Sequence, residues 1–151
     1  MRTVISESAE QTKTIGRTFC ASLRPGMSVG LIGELGAGKT QFVKGMALGL
    51  GIDEDEVVSP SFGLINEYEG DKKLYHVDLY RLETNAEIET LGLTDYLRGS
   101  GLCVIEWADR LGEDLALLDR IVRIEILSGN RRRFTFPEGT DIPYLEGLKT
   151  L

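Results

Sequence analysis

The chain has 151 residues, of which 42% are hydrophobic and 27% are charged, and its formal net charge is −7. This length fits one domain with one hydrophobic core, so we interpret residues 1–151 as a single domain. The acidic balance argues against a broad, non-specific grip on nucleic acid, because such a surface needs a basic face.

Strand and helix signals alternate through the first third of the chain. The segment "RTVIS" is a candidate strand, and Ser8 with Gln11 forms a capping-box pattern that opens a helix. That helix is predicted to end near Pro25–Gly26. An apolar strand, "MSVGLIG", then leads into a glycine-rich loop, and a helix over "KTQFVKGMALGLG" follows until its last glycines stop it.

Hairpins enter the later part of the chain. Apolar alternation on both sides of Gly70–Asp71 predicts two antiparallel strands joined by a tight turn. Thr84 and Glu87 form a second capping box for a helix through Leu91, and a shorter helical piece is expected around Thr94–Leu97. "LCVIEW" is a compact apolar strand, and "RIVRIEILSGNRRRFTFPEG" predicts a final hairpin. We therefore expect an α/β fold with a mixed β-sheet, flanked by helices and carrying antiparallel hairpins.

The sequence predicts a cytoplasmic protein without membrane association. No apolar run is long enough to span a bilayer, and the start "MRTVISESAEQ" is too polar for a secretory signal. Cys20 and Cys103 lie far apart and have neither metal-ligand spacing nor the numbers of a disulfide framework, so we expect both thiols to be reduced.

The stretch from Gly33 to Thr40, "GELGAGKT", matches the P-loop pattern in full and stands between a strand and a helix. Its glycines let several backbone N–H groups approach one phosphate chain, and the next helix adds its positive end. Lys39 would supply a cation to the phosphates, and the Thr40 hydroxyl would ligate Mg²⁺. We expect a fold of the P-loop NTPase kind, with nucleotide contacts from Gly33, Leu35, Gly36, Ala37, Gly38, Lys39 and Thr40.

Two carboxylates follow apolar strands, where a P-loop needs them. Mg²⁺ takes a carboxylate at the end of a neighbouring strand, and Glu106, which closes "LCVIE", is the best-placed candidate. Asp78, in "YHVDLYR", would orient the attacking water or hold the metal through water. The alternative for each is a surface acid at a strand end. We take Asp78, Glu106 and Lys39 as the catalytic set and Thr40 with Glu106 as the metal ligands.

Four other features allow two interpretations. "SPSF" (Ser59–Phe62) is either a switch that senses the γ-phosphate or a plain turn. Trp107, the single tryptophan, is by default a packing residue. His76 alternates with Asp78 on one strand face, and we interpret it as structural because no second ligand lies nearby in the sequence. The Arg131–Arg133 run indicates the solvated side of a hairpin strand rather than a phosphate-contacting patch.

The motifs "GELGAGKT", "SPSF", "HVDLYRL" and "VIEW", in this order and spacing, closely resemble those of the TsaE family. TsaE is the bacterial P-loop ATPase needed for the threonylcarbamoyladenosine modification of tRNA, and the resemblance runs from the helix at Ser8 to the hairpin after Arg120. It implies that ATP is hydrolysed with Mg²⁺. It also implies a nucleotide-driven accessory subunit acting on the TsaB and TsaD proteins, with tRNA reached indirectly through that complex.

The resemblance implies roles for single residues as well. Asp78 falls on a position implicated in hydrolysis, and Trp107 falls on one important for function. Ser61 replaces the threonine of the family's "SPTF" switch and keeps its hydroxyl, whereas Gln41 stands where many members have a second threonine. The segment 8–12 would lie near the adenine. Nucleotide contacts outside the phosphate loop are therefore expected from Ala9, Thr12, Ser59, Ser61 and Trp107.

Three other functions compete with an ATPase. A GTPase is disfavoured because the D-x-x-G match at Asp109–Gly112 lies beyond the strand end and no N-K-x-D follows. A small-molecule or nucleotide kinase would need an acceptor pocket and a basic lid, whereas Arg81 and Arg98 are isolated. A binding module with a purely structural nucleotide would tolerate loss of the two strand-end carboxylates.

Overall fold

The computed structural model describes residues 1–60, 65–97, 99–142 and 149–150. The strands are β1 (Arg2–Ser6), β2 (Ser28–Ile32), β3 (Ile65–Tyr68), β4 (Leu74–Asp78), β5 (Leu102–Glu106), β6 (Arg120–Ile126), β7 (Arg132–Phe136) and β8 (Lys149–Thr150). The helices are α1 (Ala9–Ala21), α2 (Lys39–Gly49), α3 (Asn85–Glu89) and α4 (Leu93–Leu97), with 3₁₀ segments at Glu54–Glu56 and Ala108–Leu117.

The described strands form one mixed sheet in the order β3-β4-β5-β2-β6-β7-β1-β8. Strands β4, β5, β2 and β6 run parallel, while β3, β7, β1 and β8 pair antiparallel at the two sides. The register sets Glu106 opposite both Asp78 and Leu31. Because parallel strands end at the same edge, this topology gathers two carboxylates and the loop after β2 in one place. The predicted mixed α/β fold is confirmed.

Helix α1 begins as predicted and ends earlier than predicted. The Ser8 hydroxyl accepts from Gln11 N at 3.1 Å, and Gln11 Oε1 accepts from Glu7 N at 2.7 Å, which closes the capping box one residue upstream. The helix stops at Ala21 rather than near Pro25–Gly26. Ser22 causes this stop, because its hydroxyl donates to Phe19 O at 2.6 Å and tightens the last turn.

The second capping box also forms, over a shorter helix than predicted. Thr84 Oγ1 accepts from Glu87 N at 3.2 Å and caps α3, which ends at Glu89 rather than at Leu91. The Thr90 hydroxyl donates to Glu87 O at 2.6 Å, and Gly92 then adopts a φ of 66°. These two features end the helix and turn the chain into α4.

Helices α1 and α2 pack together on one face of the sheet, over a cluster of fully buried phenylalanine rings. A Cβ at Gly16 would collide with Phe42 O, and one at Gly45 would collide with Lys13 O. The two glycines therefore permit the close approach of the helices, which fixes the start of α2 against the sheet. The rings of the cluster are Phe19, Phe42, Phe134 and Phe136.

Both cysteines are buried and unpaired, as expected. Burial raises the pKa of Cys20 to about 11 and that of Cys103 to about 12, so both thiols are protonated at neutral pH. Among the described residues, no helix combines the length and the apolar character that crossing a membrane requires.

Candidate functional site

The Gly33–Thr40 loop joins β2 to α2 at the edge where the parallel strands end. Gly36 and Gly38 have φ values of 82° and 101°, which side-chain-bearing residues rarely adopt. Gly38 caps α2 without a side-chain hydrogen bond, so the first N–H groups of that helix have no side-chain acceptor. This backbone path leaves donors at a helix N-terminus, the arrangement in which phosphate binds.

Lys39 folds back over this loop. Its ammonium donates to Gly33 O at 2.5 Å and to Glu34 O at 2.9 Å, and it lies 4.1 Å from the centroid of the Trp107 ring. Burial lowers the pKa of Lys39, while the carboxylate of Glu106 opposes that shift. Two neutral carbonyls and a ring face are weaker partners for a cation than an anion is. The side chain is therefore held where an anionic ligand can take over its hydrogen bonds.

Thr40 and Glu106 meet below the loop. The Thr40 hydroxyl donates to the two carboxylate oxygens of Glu106 at 3.2 and 3.3 Å, and it lies 3.0 Å from the Ser59 hydroxyl. Glu106 is only 3% exposed, and its Oε2 is 2.5 Å from Nε2 of the buried His76. Hydroxyl and carboxylate oxygens are the hard donors that Mg²⁺ takes, with its other positions left to water and phosphate. The predicted pair of metal ligands therefore converges.

Asp78 ends the strand next to Glu106 and lines the same cavity from a less buried position. Its Oδ1 accepts from Tyr80 N at 2.9 Å. Burial raises the pKa of Asp78, the Tyr80 N–H bond lowers it, and the nearby Glu106 charge raises it further. This carboxylate therefore takes up a proton more readily than an ordinary aspartate does.

Trp107 closes one side of the cavity. It has a φ of 59°, a left-handed conformation that is costly for a residue with a large side chain. The chain turns sharply there, and the indole packs against Tyr80 with ring centroids 4.9 Å apart. The resulting open cavity has a volume of about 430 Å³, within the range of small-ligand pockets. It is lined by Leu35, Gly36, Ala37, Gly38, Lys39, Thr40, Gln41, Ser59, Pro60, Asp78, Tyr80, Arg81, Glu106 and Trp107.

Comparison with known proteins assigns the chain to a family. The family model described as "Threonylcarbamoyl adenosine biosynthesis protein TsaE" matches residues 6–134. The chain belongs to the TsaE family. The predicted resemblance to TsaE is confirmed, and with it the link to the biosynthesis of threonylcarbamoyladenosine in tRNA.

Two TsaE relatives and one solved structure illustrate the similarity. The tRNA threonylcarbamoyladenosine biosynthesis protein TsaE of Treponema pallidum is 40% identical over 131 residues, which cover 87% of this chain and 96% of that protein. The protein of the same name from Bacillus subtilis is 44% identical over 128 residues, covering 84% of this chain and 79% of the relative. The crystal structure of YdiB from Bacillus subtilis matches with a TM-score of 0.71 at 35% identity, covering 90% of this chain and 86% of that one.

Most residues predicted for the site of this TsaE-family chain line the cavity. Gly33 lies behind it, where its carbonyl accepts from Lys39. Ala9 and Thr12 lie in the first turn of α1, outside the lining, although Thr12 Cγ2 is 3.8 Å from where a Cβ on Gly38 would stand. Their predicted contact with adenine stays a prediction. Ser61 and the last residue of "SPSF" lie outside the described residues, as does Arg98.

Two contacts in the TsaE site were not anticipated. His76, interpreted as structural, bonds directly to Glu106, and its alternation with Asp78 was the available signal for that orientation. Arg132 was expected on a solvated strand face, but its Nη2 donates to Gly36 O at 3.1 Å. The cause is the sheet order, which brings the β6–β7 hairpin beside β2 and its loop. Arg132 and His76, to which the sequence assigned no role at the site, therefore contact the Gly33–Thr40 loop and Glu106 respectively.

Proposed function

We propose that this TsaE-family protein is a Mg²⁺-dependent, ATP-hydrolysing accessory subunit that supports threonylcarbamoyladenosine modification of tRNA. One observation carries the proposal. The Lys39 ammonium, the Thr40 hydroxyl and the Glu106 carboxylate converge beneath a glycine-rich loop at the carboxyl edge of parallel strands. Family membership supplies the process, because the related proteins are named for that modification of tRNA.

The residues fit a bound Mg²⁺–ATP. The hard oxygens of Thr40 and Glu106 would hold the ion, which supplies charge neutralisation on the phosphoryl oxygens when bound. The loop N–H groups would bind phosphate oxygens, and Lys39 would exchange the carbonyls of Gly33 and Glu34 for the β- and γ-phosphates. For Lys39 these contacts replace two existing weaker ones, so its side chain stays at the site.

Asp78 would orient the attacking water. Its carboxylate faces the cavity, and its raised pKa makes it a better proton acceptor than a solvated aspartate. A water donating to Asp78 would direct its oxygen at the γ-phosphorus. The new P–O bond would form as the bond from the γ-phosphorus to the β–γ bridging oxygen breaks, and the proton of the water would pass to Asp78 and from there to solvent, giving ADP and inorganic phosphate.

The remaining features support an accessory role. The cavity is open to solvent, so hydrolysis by the isolated chain should be slow until a partner completes or closes the site. We propose TsaB and TsaD as those partners, with the Ser59–Pro60 segment reporting the nucleotide state to them. The net charge of −7 favours indirect access to tRNA through such a complex.

ATP hydrolysis with Mg²⁺ tests the proposal, measured for the protein alone and with TsaB, TsaD and tRNA. We expect slow turnover alone and stimulation on the order of tenfold or more by the partners. Lys39→Ala should reduce the rate on the order of 100-fold, whereas Lys44→Ala on the same helix should leave it unchanged. A fast rate indifferent to partners, transfer of phosphate to a small acceptor, or a clear preference for GTP would each contradict the proposal.

A further inference from the structure

A buried line of side chains leads from Glu106 to the segment Val57–Pro60. His76 Nε2 lies 2.5 Å from Glu106 Oε2, and its Nδ1 lies 3.2 Å from the Tyr68 hydroxyl. The Tyr68 hydroxyl donates to Val58 O at 3.1 Å. A carboxylate oxygen accepts, so His76 donates from Nε2 to Glu106, and the single phenol proton then serves either Val58 O or Nδ1 of His76. The carboxylate at the cavity floor is thus joined to a loop through two rings.

These contacts form a closed circuit, because Ser59, which follows Val58, contacts Thr40. Val58 bonds to Tyr68, while the Ser59 hydroxyl lies 3.0 Å from the Thr40 hydroxyl. Thr40 in turn donates to Glu106. The two side chains proposed as metal ligands are therefore linked to two adjacent residues of the segment. Thr40 contacts Ser59 directly, and Glu106 is linked to Val58 through His76 and Tyr68.

The two aromatic side chains in this circuit of contacts are buried, unlike those of a surface hydrogen-bond network. His76 is 0% exposed and Tyr68 is 7% exposed. Burying an imidazole and a phenol is unfavourable unless their polar atoms are bonded, and an apolar pair would fill the same space without that requirement. Asn66 adds a further constraint, because its Nδ2 donates to Val58 O at 3.1 Å and to the Tyr68 hydroxyl at 3.3 Å.

We infer that His76 and Tyr68 are positioning residues that couple the Glu106 carboxylate to the Val57–Pro60 segment. This inference rests on the proposed function, since it takes Thr40 and Glu106 as ligands of Mg²⁺. Thr40 would hold the ion through a hydroxyl lone pair and Glu106 through a carboxylate oxygen, so binding would adjust the positions of both side chains. His76, bonded to Glu106, would set the position of that carboxylate, and a shift of Glu106 would reach Val58 through His76 and Tyr68.

The coupling is tested with Tyr68→Phe, which removes the hydroxyl and leaves both ligand side chains in place. Tyr75→Phe is the matched control, because Tyr75 adjoins His76 on β4 and packs edge-on against Tyr96, with ring centroids 4.9 Å apart. Mg²⁺ and Mn²⁺ affinity is measured in the presence of a non-hydrolysable ATP analogue, and analogue affinity is measured in EDTA. Hydrogen exchange of the Val58 amide, which donates to Tyr68 at 3.4 Å, is followed with and without metal.

For Tyr68→Phe we expect metal affinity to fall about three- to tenfold, with the metal-free analogue affinity unchanged. The response of the Val58 amide to metal should disappear, and Tyr75→Phe should match the wild type in every measurement. Two His76 variants test the contact with Glu106 and the contact with Tyr68 separately. His76→Gln places an amide near the former Nε2 and should keep the metal affinity, whereas His76→Asn places it near Nδ1 and should lose that affinity.

Three outcomes would each contradict one of these claims. A Tyr68→Phe protein with wild-type metal affinity and a wild-type Val58 response, whether or not its thermal stability falls, overturns the coupling and leaves the proposed function intact. A wild-type protein that binds no ATP analogue with Mg²⁺ overturns the proposed function itself. Both His76 variants losing metal affinity equally, with folded spectra, would also contradict the assigned roles of the two ring nitrogens.

Discussion

The two carboxylates of the cavity both lie at the ends of parallel strands, but their surroundings differ. Glu106 is 3% exposed and is held between Thr40 and His76. Asp78, its register neighbour, is half-buried, accepts one backbone hydrogen bond and has a raised pKa. The parallel sheet brings both groups to one edge, but their partners differ. Glu106 is fixed by two side chains, whereas Asp78 has a single backbone donor and faces the open cavity.

The substitution Glu106→Gln removes the buried carboxylate of the pair and has the largest expected effect. We expect ATP hydrolysis to fall on the order of 100-fold, since the amide is a poor metal ligand. The variant should also be less stable by about 1–3 kcal/mol, because the His76 N–H loses a charged acceptor in a buried site. Hydrolysis rates and urea unfolding measure the two effects. Glu125→Gln, in an exposed pair with Arg133, should change neither by much.

The substitution Asp78→Asn removes the half-buried carboxylate and should reduce activity without reducing stability. Hydrolysis should fall about 10- to 100-fold, while nucleotide affinity stays close to the wild-type value. The Asn side chain can still accept from Tyr80 N, and it removes a carboxylate whose ionisation the fold disfavours. Stability should therefore hold or rise slightly. A loss of stability as large as that of Glu106→Gln would show that the two carboxylates do not differ as described.

The raised pKa of Asp78 also sets the sign of a pH effect. Between the ordinary aspartate pKa and the raised folded-state value, the folded chain binds more protons than the unfolded chain, so this group lowers stability as pH rises. Hydrolysis needs the ionised form and should fall as pH drops through the raised pKa. Asp78→Asn should flatten both profiles in this window. Paired unfolding and rate measurements across the acid range test this.

The sequence was sufficient to predict the parts of this comparison that depend on local pattern. The glycine spacing predicted the loop over Lys39, and the apolar runs before Asp78 and Glu106 predicted that both carboxylates end strands. Neither pattern contains the register, so the bond between His76 and Glu106 could not be derived. Arg132 needed the sheet order as well, because it contacts Gly36 only when the β6–β7 hairpin lies beside β2.

Trp107 lines the same cavity as the two carboxylates, and its ring lies 4.1 Å from the Lys39 ammonium. Trp107→Ala should weaken ATP binding about three- to tenfold through loss of the ring over the ammonium and beside Tyr80. Trp107→Gly should lose the same affinity but be more stable than the alanine variant by about 1 kcal/mol, since glycine adopts the φ of 59° without strain. Nucleotide titration and thermal unfolding of the two variants distinguish ring contact from backbone strain.

Arg132→Lys has the smallest expected effect, because it acts on the loop from outside both carboxylate environments. The guanidinium donates to Gly36 O at 3.1 Å and to Gly129 O at 2.7 Å, and a lysine ammonium cannot span both acceptors from a rigid fork. We expect nucleotide affinity to fall about two- to threefold, with little change in the rate at saturating ATP. Arg131→Lys on the exposed neighbour is the control. A change in saturated rate rather than affinity would mean that Arg132 reaches the transferred phosphate and belongs to the site itself.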